Sequence, residues 1–252
     1  MNEQRYFLEV FYKGAAYSGF QIQENANSVQ AEIEKAISIL EKNTVTLSGS
    51  SRTDAGVHAI QNYFHFDYPH VLHPQFLYKI NAILPDDIGI RRLIKVPANA
   101  HCRFDANSRE YHYHVYRYKN PFLKDRAYYF PYTLDFDLLQ ETAAIVKEYS
   151  DFTSFSKRNS QVKTFDCAIE KSEWIKEDDK LVYQVKANRF LRGMVRGLTG
   201  TMLQVGRGKS TVDQFRDIIN SKDCTKANFS VPAHALFLVS VEFPNQIINY
   251  EL

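Results

Sequence analysis

Strand-like and helix-like hydrophobic periodicities alternate along this chain in one fixed order, and that order is met twice. This restricts the fold to two similar α+β halves. In the first half, residues 6–12 alternate as a strand with Tyr6, Leu8, Val10 and Tyr12 on one side. A small polar loop follows at 14–19. Asn27 with Gln30 reads as a capping box opening a helix whose stripe is Val29, Ile33, Ala36, Ile37 and Leu40. Residues 45–47 read as a strand edge. Residues 61–68 read as a half-buried strand, with Tyr63, His65 and Asp67 on one face and Asn62, Phe64, Phe66 and Tyr68 on the other. Pro74 fits the first turn of a second helix carrying Phe76, Leu77, Ile80 and Leu84, stopped by Pro85. Residues 88–96 close the half as another strand.

The second pass begins with an aromatic strand at 111–118. Leu138, Leu139, Ala143, Val146 and Tyr149 mark a helix after Asp137. Residues 165–175 and 181–187 read as a hairpin turned at Glu177-Asp178-Asp179. A helix over 189–205, a shorter one begun by Thr211 and a last strand at 234–243 follow. Each pass is β-α-β-β-α-β, the split βαβ order called ferredoxin-like. The expected fold is therefore α+β: two halves, 1–104 and 105–252, joined into one extended mixed sheet with helices on one face and a cleft on the other.

Bulk composition narrows the chemistry only a little. The formal net charge is +2, so an anionic partner has to be met by a local patch. Aromatic residues make up 14% of the chain, with sixteen tyrosines, which suits strands and leaves rings for stacking. Cys102, Cys167 and Cys224 are far apart and form no CxxC pair, which points to a reducing compartment and no structural zinc. There is no apolar signal core and no membrane-length apolar run, so the expectation is a soluble cytoplasmic protein.

Three stretches carry chemistry. Ser50 to Ala59 is a polar, Gly-containing loop between two strands, and Asp54 sits within it. A carboxylate there either organises the turn, with Gly56 at positive φ, or faces a cleft as a catalytic acid, base or nucleophile. Next, Arg189, Arg192 and Arg196 recur at i, i+3 and i+7, which predicts one basic helix side. They belong to an acid-free run that begins at Lys180 and also holds Lys186, Arg207 and Lys209. Like charges so spaced repel, so a single-sign run suits an anionic partner. Lastly, Arg103, Arg109, Arg117, Lys119, Lys124 and Arg126, against Asp105, Glu110 and Asp125, bracket the aromatic strand, the mixture of rings and cations that binds looped or single-stranded RNA. Gly206 to Ser210 imitates the end of a P-loop, but the first glycine is missing and a helix precedes it. His112 and His114 have no companion ligand at metal spacing. No metal and no cofactor are expected.

Five blocks, in order, resemble the TruA family of tRNA pseudouridine synthases. They are R-T-D-A-G-V-H-A at 52–59, R-x-Y-x-Y at 109–113, D-F-T-S-F at 151–155, A-N-x-F-L-x-x-M-V-R at 187–196 and P-A-H-A-L-F-L at 232–238. One departure is Ser51, where the family usually has Gly.

The resemblance implies isomerisation of uridine to pseudouridine at positions 38, 39 and 40 of tRNA, in the anticodon stem-loop, after the base leaves its stack. It makes Asp54 the nucleophile and Arg196 its cationic partner. Tyr111 stacks on the uracil and is the candidate for removing the C5 proton. By the same resemblance Arg52 fills the vacated space, while the basic stretches make Arg109, Arg189 and Arg192 the expected RNA contacts. It also implies a homodimer with tRNA as partner. Two other readings are a non-catalytic RNA binder of two RRM-like halves, against which the RNP1 pattern is absent, and a hydrolase, for which no second acid in a comparable loop is apparent.

Overall fold

The computed structural model describes residues 3–158 and 162–248. They form two compact units. The first runs through Asn107 and resumes at Leu238; the second is Ser108–Phe237. None of the described helices is long and apolar enough to cross a membrane.

The first unit follows the expected order: β1 (Gln4–Tyr12), α1 (Val29–Glu41), β2 (Ser48–Gly49), β3 (His58–Tyr68), α2 (Phe76–Ile83) and β4 (Ile88–Val96). β1 is central and antiparallel to both β3 and β4, pairing Leu8 with Phe64 and with Leu93. β2 adds two residues to β3, opposite His65 and Phe64. It lies just after the expected 45–47 edge. The side of β3 bearing Phe64 and Tyr68 receives Phe20, stacked on Phe64 at 4.2 Å, and α1, whose Glu41 accepts from the Tyr68 hydroxyl at 2.8 Å. The other side is closed as well. Tyr63 meets Phe243 edge-on at 5.0 Å, and the buried Glu9 carboxylate accepts from Tyr63 and from Arg91, each at 3.1 Å. Residues 62–66 are thus buried on both faces, where alternation predicted one. The cover on the second face comes from far along the chain.

Two helix starts move from their predicted places. Ser28, not Asn27, caps α1: its backbone is extended (φ −138°) and its hydroxyl accepts from Ala31 N at 3.2 Å. Pro74 precedes the cap of α2, which is Gln75.

The second unit comprises β5 (Ser108–Tyr116), β6 (Tyr128–Tyr129), α3 (Phe136–Val146), β7 (Ile169–Glu177), β8 (Lys180–Ala187), α4 (Met194–Gly206) and α5 (Val212–Asn220). The strands order as β5-β8-β7, antiparallel, with β6 parallel on the outer residues of β5. β6 is too short to leave a periodic signal. Asp135 caps α3, and Thr211 with Gln214 forms a full capping box at α5. The core centres on Trp174, whose Nε1 donates to Met202 Sδ at 3.4 Å and whose ring lies 5.3 Å from that of Tyr183. The last strand, β9 (Leu236–Glu242), belongs to the first unit from Leu238 onward and lies beside β3.

The predicted helix at 189–205 starts five residues late. Gly193 takes φ +77°, ψ 0°, and helical geometry begins only at Met194. Arg189 and Arg192 therefore precede the helix, and only Arg196 is on it, so the three do not share a helical side. Leu191 is buried with Met194, Val195, Leu198 and Met202, which is why the apolar spacing looked continuous. Nearly all of α4 is buried, and at Gly200 an added Cβ would stand 2.1 Å from the Asn228 carbonyl oxygen. Gly200→Ala should cost about 1–3 kcal/mol or more through overpacking, read as a lower urea midpoint at unchanged m-value.

Candidate active site

Residues 50–57 leave β2 and enter β3 along a route fixed by buried polar groups. Ser50 N donates to Tyr63 O at 2.8 Å, Asn62 Nδ2 to Ser51 O at 2.9 Å, and the hydroxyls of Tyr12 and Thr53 meet at 2.8 Å. Asp54 forms an antiparallel bridge with Gly19. Its carbonyl accepts from Val57 N at 3.2 Å, closing a turn in which Gly56 takes φ +80°. Ser51, Thr53, Val57 and His58 are buried, Asp54 is half-buried, and Arg52 and Ala55 are exposed. The loop therefore carries a half-buried Asp54 on an anchored main chain. The hydroxyls of Ser50 and Ser51 are buried without a hydrogen-bond partner among the described residues. The loop's path is held by its main chain, not by the hydroxyl that replaces the usual hydrogen at Ser51.

In the second unit, Tyr111 and Arg109 sit on β5 and both reach the segment between β8 and α4. The Tyr111 ring meets Phe190 edge-on at 5.0 Å, and Arg109 Nη1 donates to Asn188 O at 3.0 Å. Arg189 and Arg192 lie in that same segment. Arg196, in the first turn of α4, donates through Nε (2.9 Å) and Nη2 (2.7 Å) to the Val231 carbonyl. This bidentate grip fixes the plane of its guanidinium. Arg52 and Asp54 thus share one loop of the first unit, while Arg109, Tyr111, Arg189, Arg192 and Arg196 gather around one segment of the second.

The acid-free run looks different in space. Lys180 pairs with Glu177 at 3.3 Å and Lys186 with Glu170 at 3.4 Å, and Arg207 lies 3.4 Å from the centre of the Tyr132 ring. Three of its cations are engaged by groups outside the run or at its edge. His112 is paired with Glu110 at 3.1 Å.

Sequence reading missed a cavity of about 230 Å³ in the first unit, whose wall includes Arg52, Gln21, His101, Arg103 and Phe104. The only sequence signal for it is an apolar Phe104 set between Arg103 and Asp105. His101 of this wall, with His65 and Cys102, brings potential metal-ligand atoms within 4.8 Å of one another. Their atoms also bond within the protein: His65 Nδ1 lies 3.1 Å from Cys102 Sγ, which donates to Ser48 O, and His101 Nδ1 accepts from Arg103 N at 3.1 Å. Sequence separations of 36 residues or more between His65 and the other two hide the grouping.

Burial, with His101 and Arg5 nearby, pushes the His65 imidazole down to about 4. The unfolded chain binds this proton near the usual histidine value of about 6.5. Between about pH 6.5 and 4 the unfolded state therefore holds more protons, and stability falls as pH drops. The urea midpoint should decline across that window, and less steeply in His65→Gln.

The family model described as tRNA pseudouridine synthase matches residues 10–105 and 149–244. These stretches contain Arg52, Asp54, Arg189, Arg192 and Arg196; Arg109 and Tyr111 fall between them. A protein of Parabacteroides distasonis named tRNA pseudouridine synthase A is 44% identical over 250 residues, covering 98% of this chain and 99% of that one. Its namesake in Bacteroides thetaiotaomicron is 46% identical over 252 residues, covering 98% and 94%. In Staphylococcus aureus strain N315 the figure is 35% over 240 residues, covering 94% and 90%. With a match over both units and such identity along nearly the whole length, this chain belongs to the tRNA pseudouridine synthase family and is an isomerase that converts uridine to pseudouridine in tRNA.

Proposed function

We propose that the chain acts at positions 38, 39 and 40 in the anticodon stem-loop, as a cytoplasmic homodimer, with Asp54 as nucleophile. The observation that carries this reading is the Asp54 loop: a half-buried carboxylate on a main chain anchored by Tyr12, Asn62 and Tyr63, within an unbroken R-T-D-A-G-V-H-A block. The isomerisation breaks the N1–C1′ bond, turns the uracil and forms C5–C1′. The C5 proton is lost and N1 gains one, so no electrons leave or enter.

Each site residue has a part in this scheme. Asp54 adds to the nucleoside at C6 or C1′, or assists elimination through a glycal. A carboxylate shut in with a base loses its charge unless a cation stands by, and Arg196 is assigned that duty. Its grip on the Val231 carbonyl supports the role, since a planar donor aimed in advance needs no reorganisation when charge appears. Tyr111 stacks on the uracil and takes the C5 proton once the new bond exists. A phenol is a weak base at neutral pH, so this step depends on local tuning or on the substrate. Arg52, exposed on the Asp54 loop, fills the place the base leaves. Arg109, Arg189 and Arg192 hold RNA phosphates beside Tyr111.

Asp54→Ala should retain tRNA binding and reduce tritium release from 5-tritiated uridine in tRNA by about 10⁴-fold or more; undiminished release removes Asp54 from the mechanism. Arg196→Lys should lower turnover by about 100-fold while tRNA affinity stays within about threefold. Equal losses in both would make Arg196 a phosphate contact only.

A further inference from the structure

We propose that Phe104 and Arg103 form a stacking subsite for an unpaired nucleotide flanking the target uridine. This deepens the tRNA reading above and rests on it. Phe104 is 73% exposed, although the 101–105 turn that carries it is tightly tied down. Cys102, fully buried, donates to Ser48 O at 3.1 Å, and the Asp105 carboxylate accepts from His101 N at 2.7 Å. Asp105 N donates back to His101 O at 3.0 Å. Several part-buried bonds thus hold an apolar ring out in water, where it contributes little to the core. The ring leans on His101, centroids 4.2 Å apart, and Arg103 lies 5.7 Å from its centre.

The adjoining cavity supplies what a nucleotide needs beyond a flat surface. Its wall carries the guanidinium groups of Arg52 and Arg103 and the amide of Gln21, with no carboxylate among its lining residues. Arg52 and Arg103 supply the permanent positive charge of that wall. At about 230 Å³ the space is smaller than the roughly 300 Å³ and upward of pockets that enclose free small molecules. It suits one unit of a polymer: base against Phe104, phosphate toward the arginines. Arg52 shares this wall and lies two residues from Asp54. The stacked nucleotide is therefore a neighbour of the reacting one, not the reacting one itself. The turn is anchored before RNA arrives, so little ordering entropy is lost on binding.

The test uses the full chain and an unmodified tRNA transcript, with variants Phe104→Ala, Phe104→Leu and Phe104→Trp. Ala and Leu should raise Kd and KM by roughly tenfold or more, with kcat within about threefold and no loss of thermal stability. Trp should restore affinity, and its fluorescence should be quenched by tRNA; the wild-type signal comes from the fully buried Trp174 and provides the baseline. Arg103→Gln should reduce the slope of log K against log salt by about 0.7–0.9. Unchanged Kd and KM in Phe104→Ala would overturn the subsite, as would full rescue by Leu, which has no face to stack on. If that happens while Asp54→Ala still abolishes tritium release, only the subsite falls. If Asp54→Ala keeps its turnover, the catalytic reading fails independently of Phe104.

Discussion

The direction in which Asp54 points depends on a small buried polar frame made by Tyr12, Thr53, Ser51 and Asn62. Asn62 is wholly buried in the middle of β3, and its amide reaches both the Ser51 carbonyl (2.9 Å) and the Tyr12 hydroxyl (3.3 Å). Each such bond contributes only about 1 kcal/mol net, yet leaving any one buried partner unmet costs about 1–3 kcal/mol. The frame consequently behaves as a unit. It ties down a loop that lacks regular structure while Arg52 and Ala55 stay exposed.

Most of this arrangement could be read from residue order, and the failures have identifiable causes. The strands β1 and β4 and the start of α5 at Thr211 rest on local signals, and these survive. The cap of α1 slipped by one because Asn27 and Ser28 are both good caps, and only backbone geometry chooses Ser28. The start of α4 slipped by five because Leu191 is buried in apparent helical register, while the residue that decides the matter, Gly193, has no side chain to announce it. The second buried face of β3 was hidden because Phe243 is 180 residues from Tyr63. In the same way Arg52 and Asp54 stood out as one contiguous block. Phe104 did not, because its meaning lies in being exposed, which no period reveals.

Charge shows the same division between order and space. A stretch of one sign in the sequence suggested one broad basic face. In the folded second unit, β7 supplies Glu170 and Glu177 to two of its lysines, and Tyr132 covers Arg207. The positive charge of that stretch is thereby partly offset and does not form one broad face. Arg109 and Arg196 are held by the backbone carbonyls of Asn188 and Val231, partners that orient a guanidinium without cancelling it.

The route of β9 has a bearing on how the protein is made. The unit that carries Asp54 is completed by a strand translated after the entire second unit. Phe243, which packs on Phe7 at 5.4 Å and on Tyr63, arrives at the very end of that strand's path. A nascent chain emerging from the ribosome can assemble β1, β3 and β4 early, but one side of their sheet stays uncovered until the last segment has been synthesised. The unit that carries Asp54 is therefore completed late in synthesis, and a chain lacking β9 and Phe243 would leave that aromatic face uncovered.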